Sequence, residues 1–80
     1  MLQIKFYTKE NCPLCEDAEA LLTLLRNDYP FVVDKRNIDT NETWLEAYQL
    51  NIPVIDINGR QLDCRNISFE TLNRVIQEHV

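Results

Sequence analysis

Between Gln3 and Leu25 the spacing of apolar side chains changes from two to about 3.6 residues within one short loop. "QIKFYT" alternates as a half-buried strand does. "CPLCEDAEALLTLL" then places Leu14, Ala18, Leu21 and Leu25 at helical spacing, and equally Cys15, Ala18, Leu22 and Leu25. Pro13 suits a first helical position, because its missing N–H would be unpaired there. Glu16, Asp17 and Glu19 fall in the opening turns, where the helix dipole favours negative charge. Pro30 discourages helix in the residue before it. A strand leading into a helix must be followed by a crossover, so the next strand, read over residues 31–38, is expected to lie parallel to the first.

The second half reads as helix, hairpin, helix. Residues 42–49 form a short helix behind the capping side chains of "DTN". "PVIDINGRQLDC" is a hairpin on a two-residue Asn58-Gly59 turn. Ser68 caps a last helix with Phe69, Leu72, Val75 and Ile76 on one face. The predicted order is β-α-β-α-β-β-α, an α/β layered domain with a mixed sheet. The 80 residues suffice for one small domain, taken as residues 1–80.

Composition excludes several classes of function. Thirteen acids against eight bases give a net charge of −5, and the bases are scattered, so nucleic acid and anionic membrane are not expected partners. No apolar run is long enough to span a bilayer. "MLQIKFYTKE" lacks the basic start and apolar stretch of a secretory leader, and three cysteines is an odd number for a disulfide framework. A reducing cytoplasm is the expected compartment, and there a close cysteine pair serves catalysis or metal more often than structure.

Three roles are open to Cys12 and Cys15. A structural zinc site needs four ligands, and only Cys64 and His79 remain, with no second short spacing; no metal is expected. Both thiols could be idle, with Cys15 a small core residue. The third role is redox. Cys12 stands where the loop meets the helix, so unpaired N–H groups stabilise a thiolate, while Cys15 faces inward one turn later. An exposed attacking thiol with a sheltered resolving thiol is what thiol–disulfide exchange requires.

"YTKENCPLC" after a strand, "NIPVIDING" opening a hairpin and the β-α-β-α-β-β-α order together resemble a glutaredoxin, and more closely the small glutaredoxin-like proteins of the thioredoxin superfamily. The resemblance covers nearly the whole chain. It implies a thioredoxin-like four-stranded mixed sheet with helices packed on it and the Cys12–Cys15 dithiol at one end. It also implies a cis bond before Pro53, beside the cysteines, and an Ile52 backbone that pairs with an incoming peptide or glutathione. Lys9, Pro13, Leu14, Ile52 and Pro53 are then the residues expected to touch substrate. The implied activity is thiol–disulfide oxidoreduction by a monomer with no tightly bound cofactor, acting on a disulfide-bearing protein or small thiol and reset by glutathione or a reductase. A redox-inactive adaptor using the Ile52–Pro53 edge is the alternative.

Two features depart from the family pattern. Leu14 stands where glutaredoxins usually carry Tyr, and "LDCRNISFE" lacks the Gly-Gly pair that lets the backbone approach glutathione. Weak turnover with glutathione is therefore expected. Cys64 is read from hairpin register as lying opposite Pro53, a small apolar filler behind the redox pair, with a regulatory thiol that captures Cys12 or a substrate under oxidant as the alternative. Trp44, Leu45 and Tyr48 are read as core and its rim, and His79 as a cation near a helix C-terminus.

Overall fold

The computed structural model describes residues 1–80. The elements run β1 (Leu2–Thr8), α1 (Pro13–Leu25), β2 (Phe31–Asn37), a 3-10 turn (Ile38–Thr40), α2 (Glu42–Tyr48), β3 (Val54–Ile57), β4 (Arg60–Leu62) and α3 (Phe69–His79). One mixed sheet has the order β2-β1-β3-β4. β1 pairs parallel with β2, from Leu2 opposite Phe31 to Thr8 opposite Asn37, and antiparallel with β3. The last two strands form the hairpin, with Ile57 opposite Arg60 and Ile55 opposite Leu62. Asn58 and Gly59 adopt φ of 52° and 93°, the left-handed pair a type I′ turn requires. The Asp56 carboxylate accepts the Gly59 N–H at 2.9 Å and holds the turn closed.

Strand alternation sorts side chains onto two faces of the sheet. On one, Ile4, Phe6, Ile55, Ile57 and Leu62 meet Ala18, Leu22 and Leu25 of α1 and Leu72, Val75 and Ile76 of α3. The Tyr29 hydroxyl donates to Asn73 Oδ1 at 2.9 Å and ties the end of α1 to α3. On the other face Tyr7, Ile38 and Val54 form a small cluster covered by Trp44, Leu45 and Tyr48 of α2, the core-and-rim role read for those three. No helix is long and apolar enough to cross a membrane.

The helix ends follow from capping. Asn41 Oδ1 accepts the Trp44 N–H at 3.1 Å. Ser68 and Thr71 exchange two bonds, Thr71 N–H to Ser68 Oγ at 3.1 Å and Ser68 N–H to Thr71 Oγ1 at 2.9 Å, a capping box. His79 lies in the last turn of α3, with Nδ1 2.8 Å from the Val75 carbonyl.

One ambiguity is resolved and two expectations need correction. Of the two helical stripes legible in α1, the fold buries Cys15, Ala18, Leu22 and Leu25, and leaves Leu14 59% exposed. Phe69 is 45% exposed, because it opens α3 one turn before Leu72, where the core ends. Cys64 is exposed rather than a buried filler. The hairpin ladder stops at Ile55–Leu62, and the Cys64 N–H donates instead to the Asn51 carbonyl at 3.1 Å, out of register with Pro53. The cause is local: Pro53 has no N–H to continue the ladder, and the Asp63 carbonyl accepts from Asn66 and Ile67, turning the chain away.

Candidate functional site

The end of β1 delivers the chain into a three-residue loop, Lys9, Glu10 and Asn11. Asn11 takes φ of 56°, a left-handed conformation that Asn tolerates better than most residues. This reversal brings Cys12 in as the N-cap of α1 in extended conformation, with Pro13 as the first helical residue. Cys12 Sγ accepts the Cys15 N–H at 3.2 Å, the role Ser or Asp usually plays at a helix start. The Cys12 carbonyl accepts the Glu16 N–H at 3.1 Å and completes the first turn.

Cys12 and Cys15 are joined as a disulfide with Cα atoms 5.2 Å apart, inside the range such bonds need. The two sulfurs are not equivalent. Cys15 is 2% exposed and belongs to the main core, whereas Cys12 is half-buried at its edge. An incoming group therefore reaches Cys12 first. No group of three or more His, Cys, Asp or Glu side chains is placed to hold a metal ion.

Two clefts flank the pair. The larger, about 420 Å³, has Cys12 and Cys15 on its wall together with Lys9, Glu10 and Glu16. Thr8, Lys35 and Asn37 line it too, although no local pattern marks them for it. They arrive because parallel pairing sets Asn37 beside Thr8 at the same end of the sheet. Lys35 is anchored across to α1 by Glu19, at 3.1 Å. The smaller cleft, about 160 Å³, lies between Leu14, Ala18 and Leu21 of α1 and Pro53, Cys64 and Ile67. Thus Lys9 is on one side of the cysteines, Leu14 and Pro53 are on the other, and Pro13 is exposed between them at the helix start.

Ile52 precedes a cis peptide bond to Pro53 and packs against both hydrophobic clusters. Its neighbour Asn51 is held twice, by N–H to the Tyr48 carbonyl at 2.9 Å and by its carbonyl to the Cys64 N–H. The Ile52 N–H and carbonyl make no hydrogen bond within the protein. Two backbone groups are thus left without an internal partner on an otherwise fixed segment.

Electrostatic perturbation is concentrated elsewhere. Under α2, Arg36 donates to Asp34 at 2.8 Å and to the Tyr7 hydroxyl at 3.2 Å, and lies over the Trp44 ring at 5.1 Å. Burial pushes the Tyr7 phenol above its ordinary pKa, with the Tyr48 phenol adding to the rise and Arg36 opposing it. Hydrogen bonding to Asp34 holds the Arg36 guanidinium still more firmly protonated. Near the smaller cleft, Arg65 hydrogen-bonds Asp63 and holds its carboxyl below the usual carboxylate range.

Comparison with known proteins agrees with this architecture. A structural-genomics target protein from X. campestris superposes with a TM-score of 0.74 at 26% identity, covering 94% of this chain and 96% of that one. Thioredoxin 1 from Thermosipho africanus shares the fold at 12% identity and a TM-score of 0.74, covering 96% of this chain and 92% of that one. A mutant thioredoxin from Halobacterium salinarum does so at 20% identity and a TM-score of 0.68, with 96% and 73% covered. The family model described as glutaredoxin-like domain (DUF836) matches residues 3–77. With its thioredoxin-like sheet and its cysteine pair at the head of α1, the chain belongs to the glutaredoxin-like domain family.

Proposed function

We propose that this protein is a thiol–disulfide oxidoreductase that reduces disulfides through the Cys12–Cys15 dithiol. The observation that carries the reading is the asymmetry of the pair: Cys12 Sγ at the helix N-cap, accepting a backbone N–H, with Cys15 buried behind it. Helix-start N–H groups stabilise a thiolate, and the thiolate is the nucleophile.

The Cys12 thiolate attacks one sulfur of the substrate disulfide. That S–S bond breaks, the first substrate thiolate leaves and takes a proton from water, and a mixed disulfide forms on Cys12. The Cys15 thiolate, deprotonated on attack, then displaces the second substrate thiolate from Cys12. Two electrons pass to the substrate, which leaves as two thiols, and the Cys12–Cys15 disulfide remains. An external thiol or dithiol, either glutathione or a reductase, returns both electrons. Ile52 offers its N–H and carbonyl to the substrate backbone, Leu14 and Pro53 supply apolar contact, and Lys9 stands at the opposite rim. No tightly bound cofactor takes part, and the cytoplasm is the fitting compartment for a reductant.

Trapping tests the assignment. Reduced Cys15→Ser protein mixed with a protein disulfide should accumulate a mixed disulfide on Cys12, located by peptide mass mapping. Adducts on Cys64 alone, or none, would favour an adaptor that uses the Ile52–Pro53 edge and keeps its cysteines idle.

A further inference from the structure

The charges around the pair are not balanced, and their pairing decides which of them a substrate meets. In the larger cleft Lys35 is tied to Glu19. At the end of the hairpin Arg65 is tied to Asp63 at 2.8 Å. The other ion pairs, Arg36–Asp34 and Arg60–Glu78, involve no residue of either cleft. What remains without an ion-pair partner is Glu10 and Glu16 in the larger cleft, Asp17 in the smaller, and a single cation, Lys9. All four are exposed side chains beside the Cys12 loop. The free Ile52 N–H and carbonyl suit any ligand with its own peptide donors and acceptors, glutathione included, so the choice among such ligands falls to the charges.

We infer that the site selects polypeptide disulfides bearing Lys or Arg beside the reacting cysteine over acidic peptides and over glutathione disulfide. The inference rests on the oxidoreductase reading above and names its substrate class. A basic flanking side chain meets Glu10 and Glu16 if it falls in the larger cleft and Asp17 if it falls in the smaller. An acidic one meets the same carboxylates with only Lys9 to compensate. Glutathione disulfide carries more carboxylates than ammonium groups and is disfavoured by the same field. One exposed charge pair at about 4 Å is worth roughly fivefold in water, and reversing the substrate's charge exchanges attraction for repulsion.

Three peptides differing only at the residues flanking one disulfide, as Lys, Gln or Glu, separate the possibilities. Fully reduced protein is mixed with each, quenched with acid, and the released thiols are quantified. The rate constants should fall in the order Lys, Gln, Glu, with about a tenfold span at low ionic strength that shrinks to about twofold in 1 M salt. The exposed substitutions Glu10→Gln, Glu16→Gln and Asp17→Asn together should collapse that span, each rate being referred to the Gln peptide of the same variant. No reduction of the Gln peptide would remove the oxidoreductase reading and this inference with it. Equal rates for all three, a faster Glu peptide, or a span that survives in the triple variant would overturn the charge preference alone.

Discussion

The two faces of the sheet are built from different materials. The face under α1 and α3 is closed by aliphatic side chains from two helices of 13 and 11 residues, and the cysteine pair grows out of its edge. The face under α2 is covered by a seven-residue helix with no fully buried residue, and it relies on Tyr7 in contact with Trp44, Tyr48 and Arg36, and on Arg36 over Trp44. Aliphatic burial is worth most where coverage is complete, whereas aromatic and cation–π contacts still count where water reaches one side. The thick face carries most of the buried core and, at its edge, the cysteine pair. The thin face holds Ile52 from behind and contributes no reactive group.

Four experiments break or sharpen that contrast. Cys12→Ser should lower protein disulfide reduction to the uncatalysed rate while leaving the thermal transition close to that of the reduced wild type, since Cys12 is only half-buried. Retained turnover would separate the chemistry from the α1 face. Leu22→Ala, at a position 1% exposed in the main core, should cost about 2–5 kcal/mol in a urea titration followed by circular dichroism. Trp44→Ala should cost about 1–2 kcal/mol in the same assay, for one edge-on contact with Tyr7 at 5.8 Å and one with the Arg36 guanidinium, and should leave disulfide reduction in place. Equal losses for the two variants would contradict the difference between the faces.

The smallest effect is alkaline. Folding raises the Tyr7 pKa, mainly by burial, so the folded state holds this proton to higher pH than the unfolded chain does. Its contribution is fully present below the ordinary tyrosine value of about 10 and is lost as pH rises through the folded value. Between neutral and alkaline pH the wild type should therefore lose more stability than Tyr7→Phe, read as the difference between urea midpoints. Parallel curves would show that Tyr7 ionises alike in both states.

Local rules carried most of the fold. The Asn58-Gly59 turn, Pro13 at the head of α1, and Ser68 before α3 each mark an element boundary through a backbone preference that needs no tertiary partner. What sequence could not decide was set by neighbours. The inward side of Cys15 was legible, but Leu21 and Leu22 fitted the helical spacing equally well, and packing on Phe6 and Ile55 selected Leu22. The second helix ends at Tyr48 with Gln49 as its cap, and Ile38 leaves the second strand for a turn, both within the ordinary fraying of element ends. The cysteine pair was legible as a site, but its larger cleft was not. Lys35 and Asn37 reach it through the parallel register, a long-range fact invisible in a local window. Cys64 falls outside the register that a two-residue hairpin implies, because the ladder loses its donor at Pro53.

A redox titration of the cysteine pair tests the central claim most directly. The protein is equilibrated in dithiol–disulfide buffers of graded potential, its free thiols are alkylated, and the two-thiol mass shift on the peptide holding Cys12 and Cys15 is measured. Glu10, Glu16 and Asp17, without ion-pair partners, oppose extreme stabilisation of a Cys12 thiolate, so the proposed oxidoreductase is expected to be a reductant. A single two-electron transition at about −270 to −200 mV is expected. A midpoint near −120 mV, the range of a strong oxidant, or a pair that does not exchange with the buffer at all, would contradict it.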